Sequence, residues 1–275
     1  MTTASVRRSG RSGMFYWQLA FTLLICLFMI VPVVMSVTAG LTENYFVGLS
    51  SGLTTRWLVQ VWNLYAQSIW LSIYLALSCL GVTLVLGVPA AYGLLKSQKR
   101  WAALVEELLL MPVAVPGLAT ALALLLAYGG FRGFRSSWLF ILVGHVLFTL
   151  PFMIRPVLAV MQSINVVKLE EAASSLGARP VQRFFSVVLP NCTSGILAGA
   201  LMVLTLSVGE FNITWMLHTP LTKTLPVGLA DSYASMRLEV GSAYTLIFLM
   251  MILPFLIVVQ WLGQVMTRKA SARVS

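Results

Sequence analysis

Six runs of this sequence are apolar for twenty residues or more, near residues 15 to 39, 67 to 95, 108 to 128, 137 to 160, 193 to 215 and 241 to 263. A helix needs about 20 apolar residues to cross roughly 30 Å of hydrocarbon, where nothing but the helix itself can pair with its backbone amides. The chain is therefore read as an all-α, polytopic membrane protein with six transmembrane helices. Hydrophobic residues make up 59% of it and charged residues 9%, which excludes a water-soluble domain of this length. The first run follows a basic tail, as a secretory signal would, but it is too long and lacks a small-residue cleavage site. Residues 1 to 14 are expected to be a cytoplasmic tail and residues 15 to 39 a retained anchor.

Lysine and arginine favour the cytoplasmic loops of short-looped membrane proteins. Arg7, Arg8 and Arg11 precede the first run, Lys96, Lys99 and Arg100 follow the second, Lys168, Arg179 and Arg183 follow the fourth, and Arg268, Lys269 and Arg273 follow the sixth. The opposite side holds Arg56, Arg132, Arg135, Lys223 and Arg237. Both termini are expected in the cytoplasm, the last as a tail of residues 266 to 275. The net charge of +10 is then accounted for by topology and by contact with anionic membrane lipid, so no nucleic-acid partner is expected.

Residues 170 to 190, "EEAASSLGARPVQRFFSVVLP", interrupt the apolar pattern on the expected cytoplasmic side. "KLEEAASSLG" holds good helix formers up to Gly177, a natural stop, and Pro180 suits the first turn of a second short helix ending at Pro190. Ala172, Ala173, Ser174 and Ser175 have little bulk, so the backbone could lie deep in a partner's groove, with Glu170 and Glu171 offering charge at its rim. Read without spacing, such a segment is also what an ordinary interfacial connector looks like.

The spacing resembles the signature loop of the inner-membrane permease subunits of binding-protein-dependent ATP-binding-cassette (ABC) importers. There Glu-Ala-Ala is followed after three residues by Gly, and after nine more by Ile-x-Leu-Pro. Here Glu171, Ala172 and Ala173 are followed by Gly177 and then by Val187, Leu189 and Pro190, with valine replacing isoleucine as the one departure. The resemblance spans roughly residues 65 to 265. It implies a type I importer fold with a five-helix core and an additional N-terminal helix, in a bacterial inner membrane. It also implies that the loop, within residues 161 to 190, is a coupling element gripped by a cytoplasmic ABC ATPase dimer, and that a second permease subunit, similar or identical, completes the pathway. Similarity in the third and fourth runs and around "LSVGEFNITWML" leans toward permeases of the polyamine, phosphonate and ferric-ion group.

A phosphate-binding loop would need GxxxxGK followed by Ser or Thr. The nearest stretch, "YGLLKSQK", lacks the glycine before its lysine, so the motor is expected on another chain. The external segments, near residues 40 to 66 and 216 to 240, are too short to fold as a solute-binding domain, and a separate extracytoplasmic binding protein is implied. No catalytic site, metal or cofactor is expected. The histidines are His145 and His218 only, and Cys26, Cys79 and Cys192 lack metal or redox spacing. His145 is expected to hydrogen-bond to other helices, and Arg155 to snorkel to the interface.

Glu210 lies within the fifth run, where a carboxylate is expensive and faces either a cavity or a partner helix. It and Asn212 are candidates for the translocation path. So are Pro112 and Pro116, which with Gly117 break hydrogen bonding in the third run. A helix-contact role for Glu210 and flexible packing at the prolines are the alternatives. A self-contained channel or secondary transporter would need no docking loop, and no matching pair of broken helices in the two halves favours one. A membrane-embedded enzyme would need a convergent polar constellation, which is not seen.

Overall fold

The computed structural model describes residues 13–97, 100–109 and 111–271. The basic residues Arg7, Arg8, Arg11, Lys99 and Arg273 lie outside the described residues. The chain runs through α1 (Gly13–Ala39), α2 (Arg56–Lys96), α3 (Gly117–Tyr128), α4 (Trp138–Ser163), α5 (Val166–Ser175), α6 (Thr193–Gly209), α7 (Asn212–Leu217), α8 (Leu225–Ala234) and α9 (Leu238–Ser271). Among the described residues there is no β-strand, only an isolated bridge between Thr42 and Leu53.

Among the described residues, α1, α2, α4 and the Leu238–Val258 part of α9 are each long and apolar enough to cross a membrane, and Pro180–Asn191 with α6 forms a further pair bent by 71°. Two of the apolar runs are not single helices. The third is divided into Arg100–Leu108, Met111–Ala114 and α3, with Pro116 extended (φ −53°, ψ 136°) ahead of α3. The fifth breaks at Glu210, whose backbone is extended (φ −69°, ψ 120°) between α6 and α7. Both breaks leave backbone groups that hydrocarbon cannot satisfy, so both must be sheltered by protein or water.

The main core lies where α2, α4 and α6 pack together around Cys79, Met153, Val157 and Val203. The close fit of α6 to α4 comes from Gly195 and Gly199, one helical turn apart in a small-xxx-small pattern. A Cβ at Gly195 would lie 2.7 Å from the Pro156 carbonyl oxygen, and one at Gly199 would lie 3.1 Å from the Met153 Cα. These obstacles are backbone, which cannot rotate away. Gly195→Ala and Gly199→Ala are therefore expected to destabilise the chain by about 1–3 kcal/mol, the usual cost of overpacking. Gly81→Ala, where a Cβ meets nothing within 4 Å, should be neutral or stabilising, because alanine is the better helix former. Thermal unfolding in one detergent checks the opposite signs.

No residue of α1 is buried apart from the partial shielding at its end, and its main neighbour is α9. Large apolar side chains such as Trp17 and Phe28 project outward along it, as a lipid-facing helix requires.

Candidate functional site

Helix α5 begins after a sharp turn at Asn165 (φ +52°) and is held by one stripe of side chains: Val166 and Glu170 are buried and Ala173 is half-buried. That spacing of four and three residues is one face of a helix. Glu170 was expected at the rim, and the structure corrects this. Its carboxylate, 3% exposed, accepts from the Tyr92 hydroxyl at 2.6 Å and pairs with Lys96 Nζ at 3.0 Å. Lys96 also sits 4.6 Å above the Tyr92 ring. Helix α5 is thus fastened to the end of α2, because a buried carboxylate must keep its charge partner. Tyr92 continues the contact edge-on to Phe184, at 5.2 Å between ring centres.

Glu171, the next residue, points the other way and is exposed, as are Ala172, Ser174 and Ser175. The stop at Gly177 forms as its residue type implies: φ is +83°, Gly177 N–H donates to the Ser174 carbonyl and Ala178 N–H to the Ala173 carbonyl. This pair of bonds is the Schellman arrangement, which needs a left-handed residue at Gly177. Past it, Pro180 opens a short helix, Pro180–Arg183, which widens to a π-helical turn over Phe184–Val188 before Leu189–Asn191. Val187 and Leu189 are half-buried, Pro190 is exposed, and Val188 between them is fully buried. Leu176, Val181 and Phe185 stand 89%, 69% and 62% exposed. These three form an exposed apolar set beside the bare face of α5.

The second polar site is the break at Glu210. One carboxylate oxygen accepts from Ile213 N–H at 2.8 Å, and the other accepts from Thr214 N–H and Thr214 Oγ1, each at 2.9 Å. The side chain therefore caps α7, satisfying amides that would otherwise be orphaned in the membrane. Arg135 donates to the Leu217 carbonyl at 2.7 Å at the other end, so α7 has an anion at its amino end and a cation at its carboxyl end.

His145, fully buried, joins Ser207 on α6 to Thr214 on α7, at 2.8 Å each. With Thr214 donating to Glu210, its hydroxyl accepts from His145 Nε2–H, and Nδ1 is bonded to the Ser207 hydroxyl. The imidazole thus joins α6, α4 and α7 through one chain of hydrogen bonds. The expected helix-contact role of His145 is the one observed, and exposed Arg155 stands on the outer side of α4.

Helix α3 packs along α7, and a Cβ at Gly117 would lie 3.1 Å from that of Asn212. The two breaks, at Pro116 and at Glu210, are therefore neighbours, with Pro116 and Asn212 exposed beside them. Pro112 lies in the separate Met111–Ala114 turn. Sequence reading did not find Ser207 or Thr214, because small polar residues at single positions in apolar helices carry no periodic signal, and it read Arg135 only as a mark of topology.

The family model of binding-protein-dependent transport system inner membrane components matches residues 83–271. The sulfate transport system permease protein CysW of Synechocystis sp. is 28% identical over 202 residues, covering 67% of this chain and 72% of that protein. The putrescine transport system permease protein PotI of Escherichia coli K12 is 26% identical over 237 residues, 82% of each chain. The putative 2-aminoethylphosphonate transport system permease protein PhnV of Salmonella choleraesuis is 27% identical over 258 residues, 88% of this chain and 94% of that one. In fold, the chain is similar to one from the crystal structure of a bacterial ABC transporter involved in the import of the acidic polysaccharide alginate. The TM-score is 0.73 at 15% identity, over 92% of this chain and 96% of that one. Its spans, its break-rich interior and the extent of the family match agree, and the chain belongs to the binding-protein-dependent transport system inner-membrane components, the permease subunits of ABC importers.

Proposed function

We propose that this chain forms one half of the pathway of an ATP-driven importer, with six spans, both termini in the cytoplasm and α5 seated in a groove of a partner ATPase. The observation that carries this reading is the division of α5 into an anchored stripe, Val166, Glu170 and Ala173, and a bare face led by Glu171. A plain connector would bury its apolar residues against the bundle, yet Leu176, Val181 and Phe185 are turned away from it. When the ATPase subunits close, the Glu170–Lys96 pair carries the displacement of α5 into α2 as a rigid body. An identical or similar permease completes the pathway, and a separate extracytoplasmic protein delivers the solute. The solute is a small charged molecule, with putrescine first to be assayed, followed by phosphonates, ferric ion and sulfate. The path runs beside the paired breaks, past Pro116 and Asn212, with Glu210 as the cap that keeps the second break in shape.

Side-specific labelling tests the orientation. In a chain stripped of Cys26, Cys79 and Cys192, a cysteine replacing exposed Ser174 should react with an impermeant maleimide only after the membrane is opened. One replacing exposed Ser50 should react in intact cells. Labelling at 174 from outside would remove the docking role.

A further inference from the structure

Helix α2 separates two polar clusters: Lys96 at one end belongs to the Glu170 pair, and Tyr65 lies 31 residues earlier, about 45 Å away along the helix. At Tyr65 the helix is kinked (φ −132°, ψ 15°), and there a cavity of about 190 Å³ opens between α2, α8 and α9. It is large enough for several water molecules. Its chemistry comes from Tyr65, Lys223, Asp231, Arg237 and Tyr244.

The hydrogen-bonding capacity of these groups is only partly used. Lys223 and Asp231 neutralise each other as an ion pair. Arg237 donates one of its N–H groups to the Tyr65 hydroxyl at 3.1 Å, and among the described residues it has no carboxylate partner. A guanidinium has five donors and no acceptor. The Tyr65 hydroxyl, accepting from Arg237, has its own proton left to give. The Tyr244 hydroxyl is fully buried and has no hydrogen-bond partner among the described residues. The cavity therefore holds one unpaired positive charge and several free donors, while its one carboxylate is already engaged. Such a site lacks what an oxyanion brings: a negative charge and acceptor oxygens on more than one side.

We propose that this cavity is a binding site for a small oxyanion, of the carboxylate, phosphate or sulfate class, held by Arg237 and by the hydroxyls of Tyr65 and Tyr244. A free diamine would be repelled by Arg237, so a cationic cargo does not bind there. The site lies at the end of α2 opposite the coupling segment, and its occupancy does not depend on the coupling reading.

The test uses the full chain in nanodiscs of phosphatidylcholine, without ATPase, titrated with sulfate, phosphate or acetate at constant ionic strength against chloride. At least one oxyanion should raise the thermal unfolding midpoint saturably, and chloride should not. Arg237→Gln and Tyr244→Phe should each weaken the apparent affinity about tenfold or more, the scale of one lost charge-assisted hydrogen bond. Tyr244→Phe removes a hydroxyl with no partner, so the ligand-free protein should keep its stability. Arg132→Gln, at an exposed position on the same side, should bind as the parent does. If adding phosphatidylglycerol abolishes the soluble response in the parent, a lipid phosphate occupies the same site and the oxyanion chemistry stands. An equal response to chloride, no saturable response to any of the three anions without anionic lipid, or parental affinity in both Arg237→Gln and Tyr244→Phe would overturn the proposal.

Discussion

Glu171→Lys and Gly177→Val are expected to reach the membrane in normal amount and to abolish uptake of the solute carried by the cognate binding protein. Glu171 is exposed on the bare face of α5, so its reversal leaves the fold unchanged and alters only the docking face. A loss of about 1.4 kcal/mol in docking already lowers ATPase association tenfold. Gly177 acts through the backbone instead. A Cβ placed there would meet nothing within 4 Å, so a β-branched residue does not clash. At φ +83° it nevertheless strains the left-handed turn, by about 1–2 kcal/mol or more. The ranking Asn, then Ala, then Val should hold for increasing loss of uptake, since asparagine tolerates that conformation best. Lys96→Met separates docking from transmission: the ATPase should still co-purify, while uptake falls because the Glu170 carboxylate keeps only Tyr92. Parental uptake in all three variants would refute the coupling assignment.

The second large effect is at Glu210. Glu210→Leu leaves two buried amides and the Thr214 hydroxyl without their acceptor, at about 1–3 kcal/mol for each. The variant should assemble poorly and unfold at a lower temperature in detergent. Glu210→Gln keeps one acceptor oxygen for an α7 amide but turns its NH₂ group toward the other donors, so it should lose about 1–3 kcal/mol, less than the Leu variant, and keep much of the uptake. If the Gln variant is fully stable yet inactive, the charge itself serves transport and the cap is a secondary role. Uptake and unfolding measured on the same two variants distinguish these results.

The class of the protein was legible because lipid imposes a length on every spanning helix, and the two short helices on either side of Gly177 because glycine and proline mark their ends. Less legible were the places where two neighbours of the same type part company. Glu170 and Glu171 are identical in composition, and only helical phase separates them: Glu170 lies four residues after Val166, on the anchored stripe, and Glu171 does not. That phase was available in the sequence, as was the Gly195-x-x-x-Gly199 spacing that brings α6 onto α4. The break at Glu210 was not. An ionisable residue in an apolar run looks the same whether it lines water or caps a helix end, and the distinction rests on Thr214 and His145, brought to it by packing. The π-helical turn at Phe184–Val188, where Phe184 meets Tyr92, likewise has no signature in residue type.

Whether a separate motor drives this chain is decided by ATP hydrolysis in a complex purified through an affinity tag on this chain alone, from membranes of cells that also make its neighbouring transport proteins. An ATPase should co-purify in stoichiometric amount and hydrolyse ATP faster when the loaded binding protein is added. Both the protein and the activity should disappear from the Glu171→Lys preparation. A parent preparation with no ATPase, whose reconstituted chain nevertheless moves solute down its gradient, would contradict the coupling mechanism and mark the chain as a self-contained channel or carrier.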